Sequence, residues 1–268
     1  MIEHYRIHEV SGYINWIYFF HAWGFQPRDM QSPEATQLLK EAEQMLSLLN
    51  EKFQTHAIFK LAEANSEEND VWIENTRFPF LRQQTAKERK TYLSLSDFIR
   101  PKSQGIKDRI GLFATTVDAE MEQLYQEDHY QHLLVKTLAD RLAEATAEKL
   151  HEAIRKTIWG YAPDEQLTME QLHNEEFQGI RPAVGYPSLP DQSVNFLLDE
   201  LLNMQQIGIH LTENGMMQPH ASVSGLMFAH PESRYFSIGK IDEEQLQDYA
   251  SRRRLPITLM RKFLAANL

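Results

Sequence analysis

Leu38, Ala42, Met45 and Leu49 recur three and four residues apart behind Ser32-Pro33-Glu34, so the pattern predicts an amphipathic helix that starts at Ser32 and runs toward Phe53. Ala57 to Ala64 and Val71 to Asn75 flank the polar stretch Asn65 to Asp70 and predict a hairpin; Thr91 to Phe98 and Arg109 to Thr115 are further strand candidates. From about Asp118 to Trp159 the period is helical, carried by Leu134, Leu138, Leu142 and Ala145, with a break near Glu127 and a stop at Gly160. A helix follows from about Ser193 to Gln206. Three strand-like runs, Ile207 to Thr212, Ala221 to Ala229 and Arg234 to Ile241, are separated by turns at Glu213 to Gly215 and His230 to Ser233, which predicts an antiparallel meander. Asp242 is placed to cap a helix from Glu243 to Arg253, and Pro256 divides it from a last amphipathic helix ending near Leu268. Strands and helices do not alternate, so the expected class is α+β: an antiparallel twisted sheet with flanking helices. No repeat, low-complexity tract or Gly/Ser-rich linker divides the chain, and residues 1–268 read as a single unit.

Composition narrows the function. A chain of 268 residues that is 42% hydrophobic and 24% charged can bury a sizeable core. Its net charge of −11 argues against a nucleic-acid or anionic-membrane partner, because neutralising phosphates takes clustered Lys and Arg. Arg252 to Arg254 form a local basic triplet that reads as the cation-rich end of a helix. The first residues include Glu3, His4 and Arg6 and hold no apolar signal core, so the expected location is the cytoplasm. The chain has no cysteine, which excludes disulfides and thiolate metal sites within it.

The chemistry concentrates between Gly179 and Pro187, Gly-Ile-Arg-Pro-Ala-Val-Gly-Tyr-Pro. Arg181 offers a two-pronged donor to a carboxylate, Pro182 and Pro187 stiffen the chain, Gly185 lets a ligand approach the backbone, and Tyr186 adds a flat amphipathic surface. The same residues also suit a surface turn with one solvated arginine. Elsewhere the signals are weaker. His129 and His132 stand three apart beside Glu127 and Asp128, a spacing that fits a metal or a solvated helix face, and no third ligand is placed by the sequence. Ser222 and Ser224 lack the Gly-x-Ser-x-Gly elbow of a hydrolase and alternate as in a strand. There is no Gly-x-Gly-x-x-Gly loop. We assign no acid, base, nucleophile or metal ligand.

The Arg181 segment resembles the Arg-Pro-Ala-x-Gly-Tyr-Pro motif of the activation domain of cobalamin-dependent methionine synthase. Leu81 to Thr85, Leu138 to Glu144, Trp159 to Pro163, Ala221 to Gly225, His230-Pro231 and Tyr235 continue the likeness in order, from about Asn15 to Leu268. The resemblance implies that fold, and S-adenosylmethionine as ligand, bound by Arg181, by the backbone at Ala183 and Gly185, and by Tyr186, Tyr235 and Phe236. It also brings in Glu144, which on local spacing with Arg141 and Glu148 reads equally as a solvated helix face. At Asn15 the family usually has an aspartate, so hydrogen bonding is kept and a charge is lost. The sequence has neither the family's Asp-x-His-x-x-Gly cobalamin clasp nor cysteines for a homocysteine-activating zinc. The resemblance thus implies a stand-alone reactivation component of a split methionine synthase. It would supply the methyl group for reductive remethylation of oxidised cob(II)alamin on a partner chain, with an electron from a flavodoxin-like donor. Alternatives are an activator of another corrinoid protein, an independent methyltransferase, and a docking or chaperone module without the ligand.

Overall fold

The computed structural model describes residues 1–85 and 91–268. In chain order its elements are β1 (Ile2–Arg6), α1 (Ile7–Val10), α2 (Trp16–Ala22), α3 (Pro33–Asn50), β2 (Gln54–Glu67), β3 (Asp70–Ile73), β4 (Thr76–Pro79), β5 (Asp108–Val117), α4 (His129–Ala153), α5 (Met169–His173), α6 (Val194–Leu202), β6 (His210–Leu211), β7 (Met217–Gln218), β8 (Ser222–Met227), α7 (Glu243–Arg253) and α8 (Ile257–Phe263). The main sheet is antiparallel with the order β4-β3-β2-β5-β8. Strand β2 is its spine: β1 pairs with Gln54 to Ile58 and β3 with Ala64 to Glu67 on one side, while β5 runs along the other.

Alternation along the strands buries both faces of the sheet. Phe59 and Phe113, directly opposed across β2 and β5, meet Ala143, Ala147 and Leu150 of α4 and Ile154 just beyond it. Ile58, Ala62, Leu112 and Leu226 point the other way, against Val194, Leu198 and Leu202 of α6. The small side chains of α4 bring its backbone close enough for the Thr115 hydroxyl to donate to the Ala143 carbonyl at 2.9 Å. A third apolar cluster joins α1, α2 and α3 to the first half of α4, and a fourth seats α7 and α8 on Leu81 and Ile238.

Local signals set several boundaries. Ser32 accepts the Ala35 N–H to cap α3, and Asp242 accepts the Gln245 N–H to cap α7. The long helical period breaks where expected: Asp128 caps α4, and a π-helical turn, Ile154–Ile158, runs on to Gly160 at φ +72°. Other expectations fail. The hairpin turn is tighter than Asn65 to Asp70, since Asn65 and Ser66 belong to β2, buried, with their side chains donating to carbonyls of Ile99, Arg100 and Ile106. Thr91 to Phe98 is not a strand: Ser94 makes one bridge, to Arg82, and a 3-10 turn, Leu95–Phe98, follows. Nor is there a three-strand meander. Strands β6 and β7 form a separate two-stranded ribbon and β8 joins the main sheet. Arg234 to Ile241 is irregular, with Gly239 at φ +71°, and pairs with no strand, because its backbone is taken up by Pro187, Ser188 and Asn267. Among the described residues no helix is long and apolar enough to cross a membrane.

Candidate functional site

The Arg181 loop is not a solvent-facing turn. It lies along the free edge of β8: Ile180 and Phe228 exchange backbone hydrogen bonds at 3.0 and 2.9 Å, Leu226 donates to the Pro182 carbonyl at 3.1 Å, and Val184 donates to the Ser224 carbonyl at 2.9 Å. Pro182 fits such an edge because only its carbonyl is asked for. The approach is so close that a Cβ on Gly225 would collide with the Pro182 carbonyl oxygen and lie 2.9 Å from the Ala183 Cα. One step earlier, Gly179 at φ +89° leaves no room for a Cβ between the Phe228 carbonyl and the Tyr161 hydroxyl.

Between this edge, α4 and the start of α2 lies a cleft of about 530 Å³, a size usual for small-molecule sites. Seven of the sequence candidates line it: Asn15, Glu144, Arg181, Ala183, Tyr186, Tyr235 and Phe236. Gly185 does not. At φ +88° it shapes the turn, and its N–H is committed to the Leu189 carbonyl at 2.8 Å. Asn15 caps α2 by accepting the Ile17 N–H at 3.1 Å.

The helix face carrying Arg141, Glu144 and Glu148 is turned into the cleft rather than into bulk solvent. Glu144 accepts the Tyr186 hydroxyl at 2.7 Å, and Glu148 accepts from Arg181 Nη2 at 2.6 Å with side-chain exposures of only 13% and 11%. Arg181 therefore enters the site already paired. Its N–H also donates to the Tyr235 hydroxyl at 2.8 Å, and its guanidinium lies 6.0 Å from the centre of the Phe113 ring. Burial works against its charge, but Glu148 and the neighbouring groups outweigh this and raise its pKa. Arg181 Nε, Arg141 Nε and Glu148 Oε1 are buried without hydrogen-bond partners among the described residues. Glu175, another wall residue, adopts a left-handed backbone at φ +59°; burial raises its pKa, only partly offset by Arg181. Burial likewise pushes the Tyr235 hydroxyl up to about 12.

Sequence reasoning did not single out Glu148, Glu175 or Arg141 as ligand contacts. Arg141 and Glu148 were visible as helical neighbours of Glu144, whereas nothing local marks Glu175. The connection that carries Glu175 is anchored from behind. Arg155, fully buried, pairs with Glu165 through Nε and Nη2 at 2.8 and 2.6 Å and stacks over Phe177, and His151 Nε2 lies 3.2 Å from the Tyr161 hydroxyl. His132, by contrast, binds the Leu124 carbonyl, and no group of three metal-ligating side chains assembles among the described residues.

Fold and cleft define a curled antiparallel α+β domain that can hold a small polar ligand with an aromatic part. The profile described as "Vitamin B12 dependent methionine synthase, activation domain" matches residues 6–254, and the chain belongs to that family. It is also similar to the crystal structure of the MetH reactivation domain bound to AdoHcy: the TM-score is 0.94 and the identity 38%, over 100% of this chain and 90% of that one.

Proposed function

We propose that this protein binds S-adenosylmethionine in the Arg181 cleft and presents its methyl group to cobalamin held by a partner chain in the cytoplasm, with the electron coming from a flavodoxin-like donor. The observation that carries the reading is the convergence in one cleft of Arg181, Asn15, three carboxylates and the Tyr186, Tyr235 and Phe236 rings, in a chain 38% identical to one with AdoHcy bound. The residues fit the ligand. The amino-acid end needs an anion receptor, and Arg181 Nε and Arg141 Nε are buried donors without partners among the described residues. Glu144, Glu148 and Glu175 face only Arg141 and Arg181 as guanidinium groups of the cleft wall, an imbalance that favours a cationic ligand despite the neutral Asn15. The aromatic walls suit an adenine.

When docked, cobalamin supplies the reduced metal centre that accepts the methyl group, leaving the thioether S-adenosylhomocysteine. The residues of this chain bind and orient, and none needs to move a proton. In calorimetry, Arg181→Ala should weaken S-adenosylmethionine binding by at least about tenfold with the circular-dichroism spectrum unchanged, since it removes a buried charged donor. Absence of binding to the wild-type protein would leave a docking module instead. Mixing the protein with an oxidised cobalamin-bearing synthase that lacks this activity, reductant and S-adenosylmethionine should restore methylcobalamin in proportion to protein concentration, because two separately added chains meet only by diffusion. Equal restoration without the protein would overturn the assignment.

A further inference from the structure

We infer that Glu148 is a positioning residue that sets the orientation of Arg181 for the ligand; this rests on the ligand reading above only for its binding measurements. Glu148 lies one helical turn beyond Glu144 on α4, and the two carboxylates do different things. Glu144 meets a partly exposed tyrosine, Tyr186. Glu148 meets the guanidinium of Arg181 at 2.6 Å, with both side chains nearly enclosed. The Arg181 side chain has no other hydrogen-bond partner among the described residues, so Glu148 alone fixes which way its donors point. The unpartnered Arg181 Nε and Glu148 Oε1 belong to this same pair, so the contact uses one prong of a fork and leaves donor capacity for a ligand. Phe113 on one side and the Tyr235 hydroxyl at the backbone N–H confine the rest of the residue without orienting the guanidinium plane.

The test is a double-mutant cycle read by calorimetry with S-adenosylhomocysteine, joined to a measurement on the free protein. Glu148→Ala should weaken binding by about tenfold or more, Glu148→Gln, which keeps an acceptor, by markedly less, and Glu148→Ala should cost nothing further in an Arg181→Ala background. In the ligand-free protein, the NMR signal of the Arg181 Nη2–H that donates to Glu148 should be protected from solvent exchange and lose that protection in Glu148→Ala. Should the alanine variant fail to fold, Glu148→Gln against Arg181→Ala completes the same cycle. Additive losses, or an Nη2–H signal indifferent to Glu148, would overturn the inference. A wild-type protein that does not bind the ligand would refute the ligand reading, and the exchange measurement would still decide the role of Glu148.

Discussion

Asn15 caps α2 through its side-chain oxygen and also forms part of the cleft wall, so a substitution there bears on helix and ligand at once. Aspartate is as good a cap as asparagine, so Asn15→Asp should leave the fold intact. It adds a charge where a neutral group now stands, and a charged hydrogen bond exceeds a neutral one by roughly 1 kcal/mol. The expected outcome is about fivefold tighter S-adenosylmethionine binding in calorimetry. Unchanged affinity would mean that this side chain does not reach the ligand. Glu175 differs in that its cost is already present: a carboxylate on a left-handed backbone is retained at the wall of the cleft, as strained residues at binding sites often are.

Elements bring these residues together by close approach. Strand β8 holds the Arg181 loop only because Gly225 has no side chain, and the adjacent turn tolerates only Gly179. Gly225→Ala should therefore push Pro182 and Ala183 off the sheet edge, costing roughly 1–3 kcal/mol of stability as an overpacking change and most of the ligand affinity. Urea denaturation and calorimetry on one preparation would show both losses, and full affinity in a destabilised variant would place the ligand away from the loop. Helix α7 is fixed by charge as well as by its apolar face. Arg252 bridges to Asp70, and buried Asp191 accepts from Tyr249 and Ser193 beside Arg253. The triplet does stand at the cation-rich end of α7 as expected, and there Arg252 and Arg253 also anchor the helix while Arg254, at φ +55°, ends it.

At the scale of the whole molecule, His151 ties the stability of the fold to pH. This imidazole is fully buried, packs edge-on against Phe177 and has no partner on Nδ1 among the described residues. Burial first, then the charges of Arg155 and Arg181, lower its pKa well below 6.5. The unfolded chain takes up a proton near pH 6.5 that the folded chain refuses. His151 thus contributes its full stability above that pH, and the contribution declines by about 1.4 kcal/mol per pH unit below it until the folded pKa is reached. Urea denaturation between pH 7.5 and 5.5 should show this slope, and His151→Gln should reduce it by the share of one proton. An unaltered slope would mean that the imidazole is already charged in the folded state.

Much of this protein is written locally. The starts of α3 and α7 follow from cap residues beside a helical period, and the break and stop of α4 from Asp128 and Gly160. Arg181 and Tyr186 could be named from local chemistry and Asn15, Glu144, Ala183, Tyr235 and Phe236 through the resemblance, and all seven line the cleft, whereas Gly185 does not. Tertiary structure alone decided the rest. Arg234 to Ile241 has a strand's composition, yet its hydrogen bonds go to Pro187, Ser188 and Asn267. The Arg181 loop has a turn's composition, yet β8 offered it an edge. Glu148 and Arg181, thirty-three residues apart, became a buried pair because α4 crosses the sheet beside that edge. Caps and periodicities depend on neighbours within a few residues and are legible in sequence. A strand edge or an ion pair depends on which distant partner is free once the core has packed, and only the folded chain settles that.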